Sequence, residues 1–329
     1  MVYANKQGRP PRLQRSALAV PATSEQFFEK AARGRADEVF LDLEDAVSPG
    51  QKERGRATAI AALNDVQWGD KLMAVRVNGL DTPWGYRDIV DVVEQCPRLD
   101  LIMLPKAACA ADIQFVDTLL SGIEMNKKRQ RRVGIEALIE SAIGMVNAAA
   151  IAQASDRLEA LIFGVGDYMI DMRTSDTRMG RANPDYAVVD AGRDGSPAGA
   201  SQFLANQWHY AQARVATVCR AYGVRPIDGP YTDFSDSQGY QASAHRARAL
   251  GFEGKWAIHP SQVEHANAAF TPAPELVSWA CRVAQAMEDA MAAGNGAASL
   301  DGELVDMAHV KLAANIRDRA ALMPGNRHD

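Results

Sequence analysis

Short apolar, β-branched runs alternate with Ala-rich amphipathic stretches along most of the chain. Eight runs read as strands: Arg15–Pro21 (RSALAVP), Glu38–Asp45 (EVFLDLED), Leu72–Asn78 (LMAVRVN), Leu101–Ala107 (LIMLPKA), Gly134–Ser141 (GIEALIES), Glu159–Asp167 (EALIFGVGD), Pro226–Tyr231 (PIDGPY) and Gly254–Pro260 (GKWAIHP). Near-continuous apolarity suits strands covered by helices rather than facing water. Helical stretches such as SEQFFEKAARG and AIGMVNAAAIAQAS lie between them. Alternating β and α units imply a parallel sheet, and eight of them favour closure over an open doubly wound sheet. No GxGxxG follows the first strand, which weakens a dinucleotide-binding reading. The expected fold class is α/β, a TIM (β/α)8 barrel over residues 1–265, with a helical extension over 271–329.

The segment from Tyr168 to Ser201 breaks the pattern. It is rich in Gly, Asp, Arg and Asn with little periodicity, and reads as a long strand-to-helix loop on the active face. The tail holds two helical stretches, PELVSWACRVAQAMEDAMAAG and VDMAHVKLAANIRDRAALM, around a Gly-rich break, GNGAASLDG. Helices appended to a closed barrel serve packing or assembly.

Composition narrows the partners. One barrel of about 250 residues plus an extension fits the 329 residues. Thirty-six basic against 41 acidic residues leave a net charge of -5, which argues against a nucleic-acid surface. Cys96, Cys109, Cys219 and Cys281 have no metal-ligand or redox spacing, so reduced thiols in a cytoplasmic protein are expected. The N-terminus, MVYANKQGRPPRLQR, lacks a signal-peptide core, and no apolar run reaches the roughly 20 residues that span a bilayer.

Barrel chemistry sits at the C-terminal ends of the strands. Here those ends carry Glu44 and Asp45, Arg76 and Asn78, Lys106, Glu140, Asp167, Asp228 and His259. Glu140 and Asp167, on neighbouring strands, can share one site, and two carboxylates with water suit Mg²⁺. Glu44 and Asp45 either orient metal-bound water or pair with an Arg. Arg76 offers a planar fork for a carboxylate. A metal and an Arg together would grip a small 2-oxo acid, as a metal-dependent aldol cleavage requires. Lys106 is a Schiff-base candidate or an anion contact, the latter the better reading. Trp256 walls a pocket or packs in the core. His259 reads as a structural histidine and Lys30 as a solvated charge.

The ordered motifs FLDLEDAVSPGQKERGRA, VRVNGLDTPWGYRDIVD, LIMLPK, ALIESAIGM, FGVGDY, RPIDGPYTDFSD and GFEGKWAIHPSQV resemble the citrate lyase β-subunit and malyl-CoA lyase superfamily over nearly the whole chain. NGLDTPWGYRD, DGPYTDFSD and GKWAIHPSQ lean toward its malyl-CoA lyase branch. The resemblance implies a Mg²⁺-dependent barrel, with Mn²⁺ as a substitute, that reversibly cleaves L-malyl-CoA to acetyl-CoA and glyoxylate. Relatives also cleave β-methylmalyl-CoA to propionyl-CoA and glyoxylate. A malyl-CoA thioesterase and a citramalyl-CoA lyase are the alternatives on the same metal site. By this resemblance Glu140 and Asp167 are the metal ligands and Arg76 binds the oxo-acid carboxylate. Lys30 meets the CoA phosphates, and Gly166, Ile258 and His259 line the substrate site. Asp306 enters a neighbouring subunit's site as acid or base in a homo-oligomer, a trimer or hexamer. Its alternative role is to cap the last helix, and Asp301 competes for its place. Ala19 and Ser24 stand where some relatives carry an aromatic residue and an Arg.

Overall fold

The computed structural model describes residues 10–190, 201–204 and 206–324. Eight parallel strands close into a barrel: β1 (Ser16–Pro21), β2 (Glu38–Asp42), β3 (Leu72–Arg76), β4 (Leu101–Leu104), β5 (Gly134–Ile139), β6 (Leu158–Phe163), β7 (Arg225–Asp228) and β8 (Gly254–Ala257). Each pairs with its sequence neighbours, and β1 pairs with β8 to close the ring. This is the (β/α)8 topology that the alternation predicts.

All eight expected runs overlap a barrel strand, the sixth and seventh strands beginning one residue earlier than expected, but most strands stop two to four residues short of the run's C-terminal end. Strand β2 ends at Asp42 rather than Asp45, and β6 at Phe163 rather than Asp167. The reason is local. Beyond β2 and β4 main-chain N–H groups turn from the ladder to carboxylates: Glu44 N donates to Asp42 Oδ1 (2.9 Å), and Lys106 N to Glu140 Oε1 (2.7 Å); beyond β6 the chain enters a helix at Val165. Asp167 accordingly lies in the first turn of the helix Val165–Asp171, not on a strand.

Side-chain alternation organises the barrel interior in layers. Along β2, Glu38, Phe40 and Asp42 share a face, as do Glu136, Leu138 and Glu140 along β5 and beyond it. The middle layer is apolar: Phe40, Ala74, Met103, Leu138, Ile162 and Ile227 belong to one buried cluster, with Trp256 packed on Phe40 in a tilted pair at 4.5 Å. Below it lies a polar plug. Gln14 Nε2 bridges Glu38 and Glu136, and Arg225 faces Glu136 and Glu159 (3.7 and 3.4 Å). Burial first, then mutual repulsion, raises the Glu38 carboxyl well above the usual range, and burial likewise raises Glu136. Above the apolar layer, the same inward rows deliver Asp42, Arg76 and Glu140.

The segment after β6 is more ordered than expected. Ala187–Asp190 pairs antiparallel with Ser201–Leu204; residues 191–200 of the expected loop lie outside the described residues. The chain divides into two units, one running from 14 to 269, the other joining 11–13 to residues from 270 onward. The second unit packs helices Pro274–Ala292 and Met307–Ala321 around Ala280, Val283, Met287, Val305 and Ala313. Its expected Gly-rich break is a hairpin, Ala298–Leu300 with Glu303–Val305. Asp301 (φ 54°) and Gly302 (φ 85°) both take positive φ in its turn, as a two-residue loop of this hand requires. No disulfide joins the cysteines. Among the described residues, no helix is long and apolar enough to cross a membrane.

Candidate active site and metal centre

The register places Asp42 beside Arg76 on adjacent strands. Arg76 Nε and Nη2 meet the two Asp42 oxygens at 2.7 Å each, a fork-on-fork pair. The remaining nitrogen, Nη1, turns toward Glu44 Oε2 (2.9 Å) and Asp45 Oδ2 (3.3 Å). The fork that the sequence offers to a substrate is thus half occupied by Asp42, and Nη1 is the atom facing the other carboxylates. Burial opposes the guanidinium charge, but Asp42, Glu44 and Asp45 outweigh it and hold Arg76 protonated. Trp256, buried in the core cluster, lies under the guanidinium at 5.4 Å.

Glu44, Asp45 and Asp167 converge so that one oxygen from each lies within 4.8 Å of the others. Glu140 adjoins this trio. Its carboxyl is buried, and burial first, then the repulsion of Glu44, pushes it up to about 8. Burial also raises Glu44, against the pull of Arg76. Gly164 makes room for Glu140: a Cβ there would stand 2.4 Å from Glu140 Oε2. Lys106 completes the cluster, with Nζ 2.8 Å from Glu44 Oε1 and 3.5 Å from Asp167 Oδ2. Five carboxyl groups (Asp42, Glu44, Asp45, Glu140, Asp167) therefore share one strand-end region with two permanent cations, Arg76 and Lys106. Both Glu44 oxygens are buried without an aligned hydrogen bond. An all-oxygen donor set with excess negative charge fits a hard divalent cation.

Two residues escaped the sequence reading. Asp42 was legible only as the third inward position after Glu38 and Phe40. Lys52 is buried and donates to the carbonyls of Leu43 and Glu44 (2.9 and 2.7 Å), fixing the turn that carries Glu44 and Asp45.

Other candidates take quieter positions. Asp228 is locked to Lys255 (2.6 Å) and Gln212 (2.9 Å) in the interior, and Asn78 to Asp88 (2.6 Å). His259 is exposed, with Nδ1 2.8 Å from Ser261 Oγ and its ring stacked on Phe234 at 4.8 Å. Ile258 is partly exposed beside it. Lys30 is exposed, its Nζ 6.0 Å from the Phe27 ring. A Cβ on Gly166 would touch Met179 Sδ at 3.2 Å. In the second unit, Asp306 caps the last helix, its Oδ1 accepting from Ala308 N (2.9 Å) and lying 2.8 Å from His309 Nδ1. The His309 contact, then the backbone N–H groups, hold its carboxyl below the usual range. Asp301 pairs instead with Arg282 (2.7 Å).

Comparison with known proteins agrees with this architecture. The family model of HpcH/HpaI aldolase/citrate lyase matches residues 15–260. An L-malyl-CoA/beta-methylmalyl-CoA lyase of Cereibacter sphaeroides is 43% identical, over 95% of this chain and 96% of its own length. A (3S)-malyl-CoA thioesterase of the same species is 34% identical over 91% and 92%. Among solved structures, protein CitE from Mycobacterium tuberculosis, in complex with magnesium, acetoacetate and coenzyme A, is 28% identical. It superposes with a TM-score of 0.69 over 94% of this chain and 98% of that one.

Proposed function

Because the chain belongs to the HpcH/HpaI aldolase/citrate lyase family, we propose that its strand-end carboxylates serve a divalent-cation-dependent carbon–carbon lyase acting on malyl-CoA. The reaction is the reversible cleavage of L-malyl-CoA to acetyl-CoA and glyoxylate, and of β-methylmalyl-CoA to propionyl-CoA and glyoxylate. The observation that carries this reading is the 43% identity to a lyase of that name across nearly the full length of both chains. The thioesterase relative is more distant, at 34%.

Glu140 and Asp167 are assigned as the direct ligands of the ion, Mg²⁺ with Mn²⁺ as substitute, and Glu44 and Asp45 as the groups that orient its water. When bound, the ion supplies Lewis acidity to the hydroxyl or carbonyl oxygen of the C2 unit. Arg76, locked by Asp42, directs Nη1 at the carboxylate of that unit, so the substrate is held at a fixed angle. The carboxylates around it are the candidate acceptors for the hydroxyl proton as the C–C bond breaks. The enolate of the departing thioester takes a proton from an acid. Asp306 of a neighbouring protomer is assigned to this exchange. In the condensation direction the same group, as the carboxylate, removes a methyl proton; its lowered pKa keeps it ionised. Lys30 is assigned to the CoA phosphates, and Gly166, Trp256, Ile258 and His259 to the walls around the acyl chain.

A panel of malyl-CoA, β-methylmalyl-CoA and citramalyl-CoA with Mg²⁺ tests the reading, scoring glyoxylate, pyruvate and free thiol separately. Glyoxylate matching the malyl-CoA consumed, with the thioester bond conserved and no free thiol, is the expected outcome. Free thiol with malate and no glyoxylate assigns the site to hydrolysis, and pyruvate from citramalyl-CoA alone to the citramalyl branch.

A further inference from the structure

The two substrates of the proposed lyase differ at one carbon. The α-carbon of the thioester carries two hydrogens in L-malyl-CoA, and a methyl replaces one of them in β-methylmalyl-CoA. That carbon is bonded to the hydroxyl-bearing carbon, whose oxygen and carboxylate are assigned to the cation and Arg76. A side chain that meets the methyl must therefore stand beside the cation cluster. Met179 has that position. Asp167 follows Gly166 in the first turn of the helix Val165–Asp171. Met179 Sδ and Cε lie 3.2 and 3.7 Å from the point where a side chain on Gly166 would begin. The thioether thus covers the gap that Gly166 leaves next to Asp167, and it is only partly buried. Its backbone is fixed, although it belongs to the irregular segment after β6. The N–H and the hydroxyl of Thr232 both donate to the Met179 carbonyl (3.3 and 3.4 Å). Gly180, at φ 80°, passes Pro230 so closely that a Cβ would stand 2.6 Å from its carbonyl oxygen. Arg181 pairs with Asp233 (3.4 Å) and Asp236 (3.8 Å). Met179, Gly180 and Arg181 are all tied to the turn after β7, while the Met179 side chain reaches back to the turn after β6.

We propose that Met179 sets the acyl selectivity of this site: its thioether is the wall against which the substituent on the thioester α-carbon packs. This role rests on the lyase reading and names the group that discriminates within it. A methionine side chain is unbranched and polarisable, so a fixed backbone carrying a movable thioether accommodates either hydrogen or methyl. A shorter side chain leaves more room for the methyl, and a bulkier one takes that room away. The size of the effect is bounded, because one methyl in an apolar pocket changes discrimination by about 10- to 200-fold.

The test is the ratio of kcat/KM for β-methylmalyl-CoA to kcat/KM for L-malyl-CoA, each followed by glyoxylate release with Mg²⁺ present. It is measured for wild type, Met179→Ala, Met179→Phe and Met172→Ala, the last an exposed methionine of the same segment. Met179→Ala is expected to raise the ratio about tenfold, and Met179→Phe to lower it by a similar factor. Met172→Ala should keep the wild-type ratio. General loosening of the segment cannot move the ratio in opposite directions. An unchanged ratio in both Met179 variants, a shift of the same sign in both, or an equal shift in Met172→Ala overturns the proposal and leaves the lyase reading standing. Wild type that releases glyoxylate from neither thioester overturns the lyase reading, and the role of Met179 with it.

Discussion

At the scale of single residues, the site is a set of charges that hold one another in place. The Asp42–Arg76 pair shows how. A guanidinium buried this deeply is tolerable only with its charge and donors met, and Asp42 meets two of them at 2.7 Å. Asp42→Asn keeps the shape and removes the charge. It is expected to destabilise the fold by about 3 kcal/mol, as breaking a buried pair does. It should also lower kcat/KM roughly 100-fold through loss of Arg76 alignment, with the glyoxylate KM rising in the condensation direction. Steady-state kinetics and thermal melting together check it; unchanged kinetics would remove Asp42 from the site. Asp306 poses a different question, since it is both a cap and an assigned acid–base group. Asp306→Asn retains the cap, because Asn caps as well as Asp, but cannot exchange a proton. Melting should be unchanged while turnover collapses; equal turnover would leave Asp306 a cap alone.

At the scale of elements, the strands were legible because a barrel strand buries both faces and advertises itself as a short apolar run. All eight were readable for that reason, and so was their order. Where each strand ends was not. An apolar run continues past the last ladder hydrogen bond, and nothing marks in FLDLED the residue at which main-chain N–H groups leave the sheet for a carboxylate, or in IFGVGD the residue at which a helix begins. Asp167 therefore looked like a strand residue and lies on a helix. Asp42 stayed hidden because its partner is set by register with β3, a property of two strands and not of one motif. The direct convergence of Glu44 and Asp45 with Asp167 was hidden for the same reason, since the 43–45 turn depends on Lys52 from the following helix. One element-level prediction follows from the junction after β6. Gly164→Ala would place a methyl 2.4 Å from Glu140 Oε2, which no rotamer of an alanine can relieve. Glu140 must move, and activity is expected to fall by about 100-fold or more, with divalent-ion binding weakened in parallel by calorimetry. Full activity in that variant would show that Glu140 is free to relocate.

At the scale of the whole molecule, the carboxylate excess couples folding to pH and to the ion. Glu140 is pushed up to about 8 by burial and by Glu44, so the folded protein holds this proton more tightly than the unfolded chain does. Its contribution to stability is then greatest below the ordinary carboxylate range and is lost as pH rises toward about 8. Metal-free protein should melt at falling temperatures from about pH 6 to about pH 8.5. Added Mg²⁺ should restore more at the upper end, where it meets a carboxylate already free of its proton. A larger Mg²⁺ effect at the acid end would contradict the sign. Assembly is the other molecular-scale expectation. If Asp306 serves a neighbouring protomer, mixing Asp306→Asn with Asp167→Ala protein after dissociation should restore activity that neither has alone, and no recovery would confine each site to one chain.

The central claim, a divalent ion on strand-end carboxylates driving carbon–carbon cleavage, is tested most directly by following glyoxylate release from L-malyl-CoA while Mg²⁺ is added back to protein stripped with a chelator. No glyoxylate is expected from the stripped protein, with a saturable return of cleavage as the ion is restored. Undiminished cleavage in the chelator, abolished by borohydride only when substrate is present, would contradict it and move the chemistry onto an imine.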